Sequence, residues 1–258
     1  MVMIKQVPDM NKVKFDTNKG VIDRKSAGVE INPFDLNALE AAVQIKEETG
    51  GKVIAISMGP PRAKEVIKEA IARGADDGFL VTDKKFAASD TIATSRILSA
   101  AIKKIEDFDL ITAGVMTVDG DTAQVGSQTA EFLQIPHIAY VTEIQEVTES
   151  SLTVISKCWQ ASYVKKIKYP GLITVTKDLN IPRLPSFKDK MKAKKTEVKI
   201  LDFSSLSKEL KKTDIGLKGS PTRVTNIEIP QKQETEGKIF KQNHLEKALN
   251  EIYKICHK

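Results

Sequence analysis

The chain has 258 residues, 41% of them hydrophobic and 29% charged, and a formal net charge of +6. Such a chain is long enough for one large domain or two small ones, and its balance excludes a disordered protein. No run approaches the ~18 consecutive apolar residues that cross a bilayer, so an integral membrane protein is excluded as well.

Short apolar runs alternate with helical patterns in the first part of the chain. That alternation predicts an α/β fold with a mainly parallel, Rossmann-like sheet, helices on both faces, antiparallel edge strands and a long C-terminal arm. Val2 to Gln6 reads as the first strand, and it lacks the basic leader and long apolar segment of a signal peptide. Val13 to Asp16 and Gly20 to Asp23, joined through Asn18-Lys19-Gly20, read as a small hairpin. Pro33-Phe34-Asp35 opens a helix carrying Leu36, Leu39, Ala42, Val43 and Ile45 at helical spacing, and Thr49-Gly50-Gly51 ends it. Lys52 to Ser57 is the next strand, and Met58-Gly59-Pro60-Pro61 turns into a helix that runs to Gly74. Gly78 to Val81 is a strand, and Ser89-Asp90-Thr91 caps a helix through Ile102. Leu110 to Ala113 is a strand, Thr122 to Leu133 a helix and Ile138 to Val147 a strand. Three further β runs, Leu152 to Lys157, Tyr163 to Ile167 and Leu172 to Thr176, have no helix between them, which predicts antiparallel pairing at one edge.

After Pro182 the pattern loosens, and only Ile239 to Ile255 keeps a helical apolar stripe, through Leu245, Ala248, Leu249, Ile252 and Ile255. The expected organisation is a core domain over residues 1–185 and an arm over 186–258. The charge divides the same way. Residues 186–258 carry 17 Lys and Arg against 10 Asp and Glu, while the first 185 carry 23 against 24. Nucleic-acid binding would call for a basic stripe interleaved with aromatics. Phe187, Phe203, Phe240 and Tyr253 are too scattered for that, so the arm reads as solvated or docked on a partner protein.

Open α/β sheets bind ligands beyond the carboxyl ends of their strands. The most informative such loop is Gly114-Val115-Met116-Thr117-Val118-Asp119-Gly120-Asp121, followed by a helix opening at Thr122-Ala123-Gln124-Val125-Gly126. The first amides of a helix lack intrahelical partners and carry the positive end of the dipole, so they suit a phosphate. Two readings stay open: a nucleotide site, or an ordinary helix start with Asp121 capping and Gly126 packing on the sheet. There is no P-loop lysine motif and no G-x-G-x-x-G after a strand. His137 reads as structural, His244 and His257 as solvated, and Cys158 as a packing residue in a β run. The two cysteines, Cys158 and Cys256, support no metal spacing or disulfide framework and fit a reducing cytoplasm. With no nucleophile or acid–base set in view, any catalysis would rest on a cofactor, and no metal site is expected.

The ordered motifs resemble those of the beta subunit of electron transfer flavoproteins over nearly the whole chain. They are Ile4-Lys5-Gln6-Val7-Pro8-Asp9, Ile31-Asn32-Pro33-Phe34-Asp35-Leu36-Asn37-Ala38-Leu39-Glu40, Ser57-Met58-Gly59-Pro60-Pro61 and Gly74-Ala75-Asp76. Asp90-Thr91-Ile92-Ala93-Thr94-Ser95, Asp119-Gly120-Asp121-Thr122-Ala123-Gln124-Val125-Gly126 and Met191-Lys192-Ala193-Lys194-Lys195 complete the set. The resemblance implies a heterodimer whose alpha subunit is wrapped by the arm. By position it implies an adenine-nucleotide pocket formed by Met3, Asn32, Pro33, Asp35, Met58 and residues 114–126, with Asp90, Thr91 and Thr94 near a flavin ring. Leu184 to Lys190, with Phe187, matches a loop for docking dehydrogenases.

The aspartate loop, the Asp90 motif and Gly219-Ser220-Pro221-Thr222 are similar to electron-bifurcating members. Such members hold FAD here and take hydride from NAD(H). They send one electron to ferredoxin or flavodoxin and one to the alpha-subunit FAD, in exchange with an acyl-CoA or a lactate-type hydroxy-acid flavin dehydrogenase. The implied role is a redox subunit of a cytoplasmic oxidoreductase complex. The alternative the resemblance implies is a simple electron shuttle with a structural AMP in this subunit. Val115-Met116, Ser127 and the absence of acidic residues from Lys157 to Ser162 depart from the family pattern, and the first strand is shorter than usual, as if the start lay upstream.

Overall fold

A computed structural model of the chain describes residues 1–9, 14–16, 21–23, 28–105, 107–223, 225, 239–241 and 244–256. The chain divides into two compact units, Met1–Arg223 and Val224–Lys258.

The first unit is organised by a nine-stranded sheet. Its strands are β1 (Val2–Met3), β6 (Ile54–Met58), β7 (Asp77–Val81), β8 (Leu110–Gly114), β9 (His137–Val147), β10 (Ser151–Cys158), β11 (Ala161–Lys168), β12 (Gly171–Val175) and β13 (Lys199–Leu201). Their spatial order is β11-β10-β9-β12-β8-β1-β6-β7-β13. Pairing is parallel from β9 through to β13, while β9, β10 and β11 pair antiparallel. Two small antiparallel pairs stand apart: β2 (Gln6–Pro8) with β5 (Val29–Ile31), and β3 (Lys14–Asp16) with β4 (Val21–Asp23). The expected hairpin is therefore present; its turn, residues 17–20, lies outside the described residues.

Helices α1 (Pro33–Thr49), α2 (Lys64–Ala72), α3 (Thr91–Ile105) and α4 (Val125–Leu133) cover both faces. The alternation of side chains along each strand assigns them. Val2, Ala55 and Ile173 pack with Leu39 and Val43 of α1 and Ile67 of α2. Their neighbours Met3, Ile56 and Leu172 pack with Ile97 and Ile102 of α3 and Ala130 of α4. Each Ile or Leu buried this fully contributes roughly 1.5–3 kcal/mol, so both helix layers are held by the same strands. Pro33 opens α1 at a position where a missing N–H costs nothing, and Gly50, in the left-handed region at φ 76°, ends it.

Three expectations need correction. β12 does not join an antiparallel edge. All five of its residues are buried, and it lies inside the sheet, parallel to both β8 and β9. Leu172, Ile173 and Val175 put apolar side chains on both of its faces, the pattern of a strand covered on both sides. Cys158 is exposed at the end of β10 and is not a packing residue. Residues 186–223, expected to belong to the arm, fold onto the first unit. There α5 (Phe187–Lys195) packs on α2, the single turn α6 (Gly216–Gly219) lies against α3, β13 extends the sheet beyond β7, and Leu201, Phe203, Leu206, Leu210 and Ile215 are buried with α3. These apolar residues sit among polar turns without a period, which hides them from pattern reading.

The second unit contains α7 (Leu245–Cys256). Leu245, Leu249 and Ile252 share one face and are each more than half exposed.

Candidate functional site

The carboxyl ends of β1, β6 and β8 open into a cavity of about 350 Å³, at the small end of the ~300–1,000 Å³ range of small-molecule sites. Met3, Ile56, Met58, Leu98 and Ala113 form its apolar wall, and the backbone of residues 113–117 and the loop from Gly120 to Gly126 form its polar one. The N-termini of α3 and α4 converge on it, since Asp90 and Thr91 line one side and Gln124, Val125 and Gly126 the other. A 3.0 Å hydrogen bond from Thr91 Oγ1 to Gln124 Oε1 joins the two helix starts. The uncapped first amides of α4 give the cavity a positive electrostatic character without a cluster of basic side chains, whereas those of α3 are capped by Asp90.

The loop after β8 is held by two buried residues of the segment that enters α1. Asn32 is fully buried, and although it precedes Pro33 it makes no side-chain cap. Instead its Nδ2 donates to Met116 O at 2.9 Å, and its Oδ1 accepts from Val118 N at 3.1 Å. Asp35 accepts from Lys5 N at 2.7 Å and from Gly114 N at 3.1 Å. Burial pushes the Asp35 carboxyl up to about 7, outweighing the Asn32, Lys5 and Gly114 hydrogen bonds that oppose the shift. A Cβ on Gly114 would lie 2.3 Å from Asp35 Oδ1, so this glycine is what lets α1 reach the strand end.

The helix after this loop starts later than expected. Residues 121–124 are not helical, and α4 begins at Val125 with no side-chain cap. Asp121 N donates to Thr117 O at 2.9 Å, closing a turn over 117–121. Asp121 and Ala123 both have positive φ, 50° and 53°, which interrupts a helical run. Such strain in a non-glycine residue gathers at ligand clamps. Gly126 does pack on the sheet, since a Cβ there would come within 2.5 Å of Thr174 Cγ2, and it also lines the cavity.

At the other rim, Asp90 caps α3 by accepting from Ala93 N at 3.0 Å. Its second oxygen accepts from Thr222 N at 3.0 Å and Thr222 Oγ1 at 2.8 Å, and Asp90 N donates to Ser220 Oγ at 2.9 Å. Burial would raise the Asp90 carboxyl, but the donors of Ala93 and Thr222 outweigh it and hold it below the usual range.

The structure thus gathers most of the expected site residues: Met3, Asp35, Met58, Asp90, Thr91, Thr94, Gly114, Val115, Met116, Thr117, Gly120, Thr122, Ala123, Gln124, Val125 and Gly126 all line one cavity. Asn32 stands behind the lining and positions the loop, as does Pro33 through the helix start. Val118, Asp119 and Asp121 lie on the outer side of the turn and are exposed. Ile4, Lys5, Ile56, Ser89, Leu98 and Ala113 also line it and were not among the expected site residues. Lys5 was legible in its motif; Ser89 and Leu98 face the cavity only because α3 lies beside it. Phe187, the expected docking residue, starts α5 and is 80% exposed, beside the exposed Leu184 and Ile181. That loop is pinned to α1 by Arg183, which pairs with Glu40 at 2.8 Å and Glu47 at 2.6 Å. Among the described residues, no three His, Cys, Asp or Glu side chains gather as a metal site, and no helix is long and apolar enough to cross a membrane.

Fold and cavity define an α/β domain of the kind that takes a small molecule at the carboxyl edge of a parallel sheet. Residues 19–206 match the electron transfer flavoprotein domain. The chain is 43% identical to the electron transfer flavoprotein subunit beta of Thermoanaerobacterium thermosaccharolyticum, over 99% of this chain and 96% of that one. It is 41% identical to the caffeyl-CoA reductase-Etf complex subunit CarD of Acetobacterium woodii, over 87% and 85%. It is 37% identical to the acryloyl-CoA reductase electron transfer subunit gamma of Anaerotignum propionicum, over 100% and 97%. The chain belongs to the electron transfer flavoprotein family, among its beta subunits.

Proposed function

We propose that the cavity holds the adenosine-phosphate part of an FAD and that the chain works as the redox subunit of a heterodimer with an electron transfer flavoprotein alpha subunit. The convergence of two helix N-termini on one small, apolar-walled cavity carries this reading. Phosphate oxygens fit the free amides of 124–126, and the flat apolar wall of Met3, Met58 and Leu98 fits an aromatic base. Thr91 and Thr94 supply hydroxyls at the rim. FAD, when bound, supplies acceptance of a hydride from NADH and one-electron delivery. The protein's own part is to orient it, to exclude water with the apolar wall, and to aim the free amides of α4 at its anionic edge.

A flavin held here would supply single electrons to a ferredoxin or flavodoxin and to the alpha-subunit FAD, and a partner dehydrogenase would complete the complex. The names of the CarD and acryloyl-CoA reductase relatives favour an acyl-CoA-type dehydrogenase over a hydroxy-acid one. The exposed Ile181, Leu184 and Phe187 offer that enzyme a docking surface, and the apolar face of α7 offers one to the alpha subunit.

A second reading has one observation in its favour. A cavity of about 350 Å³ suits a mononucleotide without a flavin beyond it. In that case the subunit carries AMP and serves as a docking module. Co-expression with the alpha subunit, followed by release and weighing of the nucleotides, separates the two. Two FAD per heterodimer and no AMP is the expected result; one FAD and one AMP would replace it with the shuttle.

A further inference from the structure

Lys5 is the one lysine or arginine that lines the cavity among the described residues. Its Nζ reaches away from the cavity to Asp119, at 2.8 Å from Oδ1 and 2.9 Å from Oδ2. Asp119 does not line the cavity. Both side chains remain partly exposed, 44% for Lys5 and 32% for Asp119, and a pair so exposed contributes little to stability.

The pair is also redundant as a structural tie. The Lys5 backbone is already fixed on both sides, its N–H donating to Asp35 and its carbonyl accepting from Asn32 N at 2.9 Å. The loop that carries Asp119 is fixed independently, by Asn32 at Met116 and Val118 and by the turn from Asp121 to Thr117. Both backbones would stay in place without the ion pair. What the pair does control is where a full positive charge points, at the mouth of a cavity whose two lining carboxylates, Asp35 and Asp90, are occupied by backbone donors.

We propose that Lys5 is the cation that meets the phosphate of the bound nucleotide, and that Asp119 is its resting partner, which the phosphate displaces. This rests on the nucleotide reading given above and adds a specificity-determining residue to it. The two negative charges of an FAD pyrophosphate, or of an AMP phosphate, beside helix amides outcompete a single exposed carboxylate for Nζ. Lys5 and Asp119 then act on phosphate affinity with opposite signs, although they are partners in one ion pair.

The test is calorimetric titration of the nucleotide-stripped heterodimer with AMP and with adenosine. Wild type should bind AMP more tightly than adenosine. Lys5→Met should weaken AMP by about tenfold and change adenosine by less than about twofold. Lys5→Arg should restore most of the loss, and Asp119→Asn should tighten AMP by about threefold, because Lys5 no longer has to leave a partner. If Lys5→Met and Asp119→Asn instead weaken AMP and adenosine alike, the pair is a structural tie and the proposal is overturned while the nucleotide site stands. If wild type binds neither compound, the nucleotide reading fails and this inference falls with it.

Discussion

The two ends of the parallel sheet each open into a cavity, and the larger one is the poorer site. At the amino ends of β6 and β8 lies a cavity of about 730 Å³, lined by Met1, Lys46, Lys52, Asp107, Asp109 and Glu149 among others. It has twice the volume of the cavity at the carboxyl ends. Yet α1 meets it with its C-terminal end, at Glu48 and Thr49, so its dipole offers negative charge there, and Asp107, Asp109 and Glu149 add carboxylates. Lys46, one of the two lysines that line it, is already paired with Asp76 at 2.6 Å. The carboxyl-end cavity has half the space but two helix N-termini, a loop held by a buried asparagine, and an apolar wall. The direction of the chain through the fold, not the amount of empty space, decides which end can hold an anion.

The contrast is open to attack through its parts. The largest effect concerns Asp35. Its native carboxyl, raised to about 7, keeps a proton that the unfolded chain has already released. The contribution of Asp35 to stability is therefore complete below about pH 4 and is lost as pH rises from there through about 7, by on the order of a few kcal/mol. Chemical denaturation across that range should show the slope, and Asp35→Asn should flatten it.

Asn32→Ala comes next. It strips Met116 O and Val118 N of their partner, which should cost about 1–3 kcal/mol and release the nucleotide at least about tenfold faster. Thr222→Val removes the hydroxyl donor from Asp90 Oδ2, leaves the Thr222 N–H in place, and should cost about 1 kcal/mol, measured by thermal unfolding. The smallest effect is expected at the other end of the sheet. Lys52→Gln and Asp109→Asn should leave nucleotide affinity within about twofold of wild type. A large loss there would break the comparison.

Much of this was legible in the sequence because the strands and helices follow simple periods. The α1 start at Pro33, the Asp90 cap and the Asp119-Gly120-Asp121 loop all announce themselves locally. Position in the sheet was less legible. The apolar residues of β12 reveal that it is buried, but only long-range pairing says it lies between β8 and β9 rather than at an edge. The start of α4 was misplaced because positive φ at Asp121 and Ala123 leaves no trace in residue types; an alanine there reads as helix. Asn32 was expected to line the pocket, whereas it stands behind the lining and holds the loop, and its bond across 84 residues to Met116 is a property of the fold. Gly126 would make a misleading probe of the site, since substitution disturbs its packing on Thr174 whether or not a ligand is bound.

The most direct test of the account is amide hydrogen exchange on the heterodimer with its nucleotide removed and then restored. Restoration should protect the backbone at 114–126 and at the α3 start, 90–94, and leave 46–54 and 107–110 unchanged. Protection at the amino-end cavity with none at 114–126 would contradict the claim that the carboxyl end of the sheet is the cofactor site.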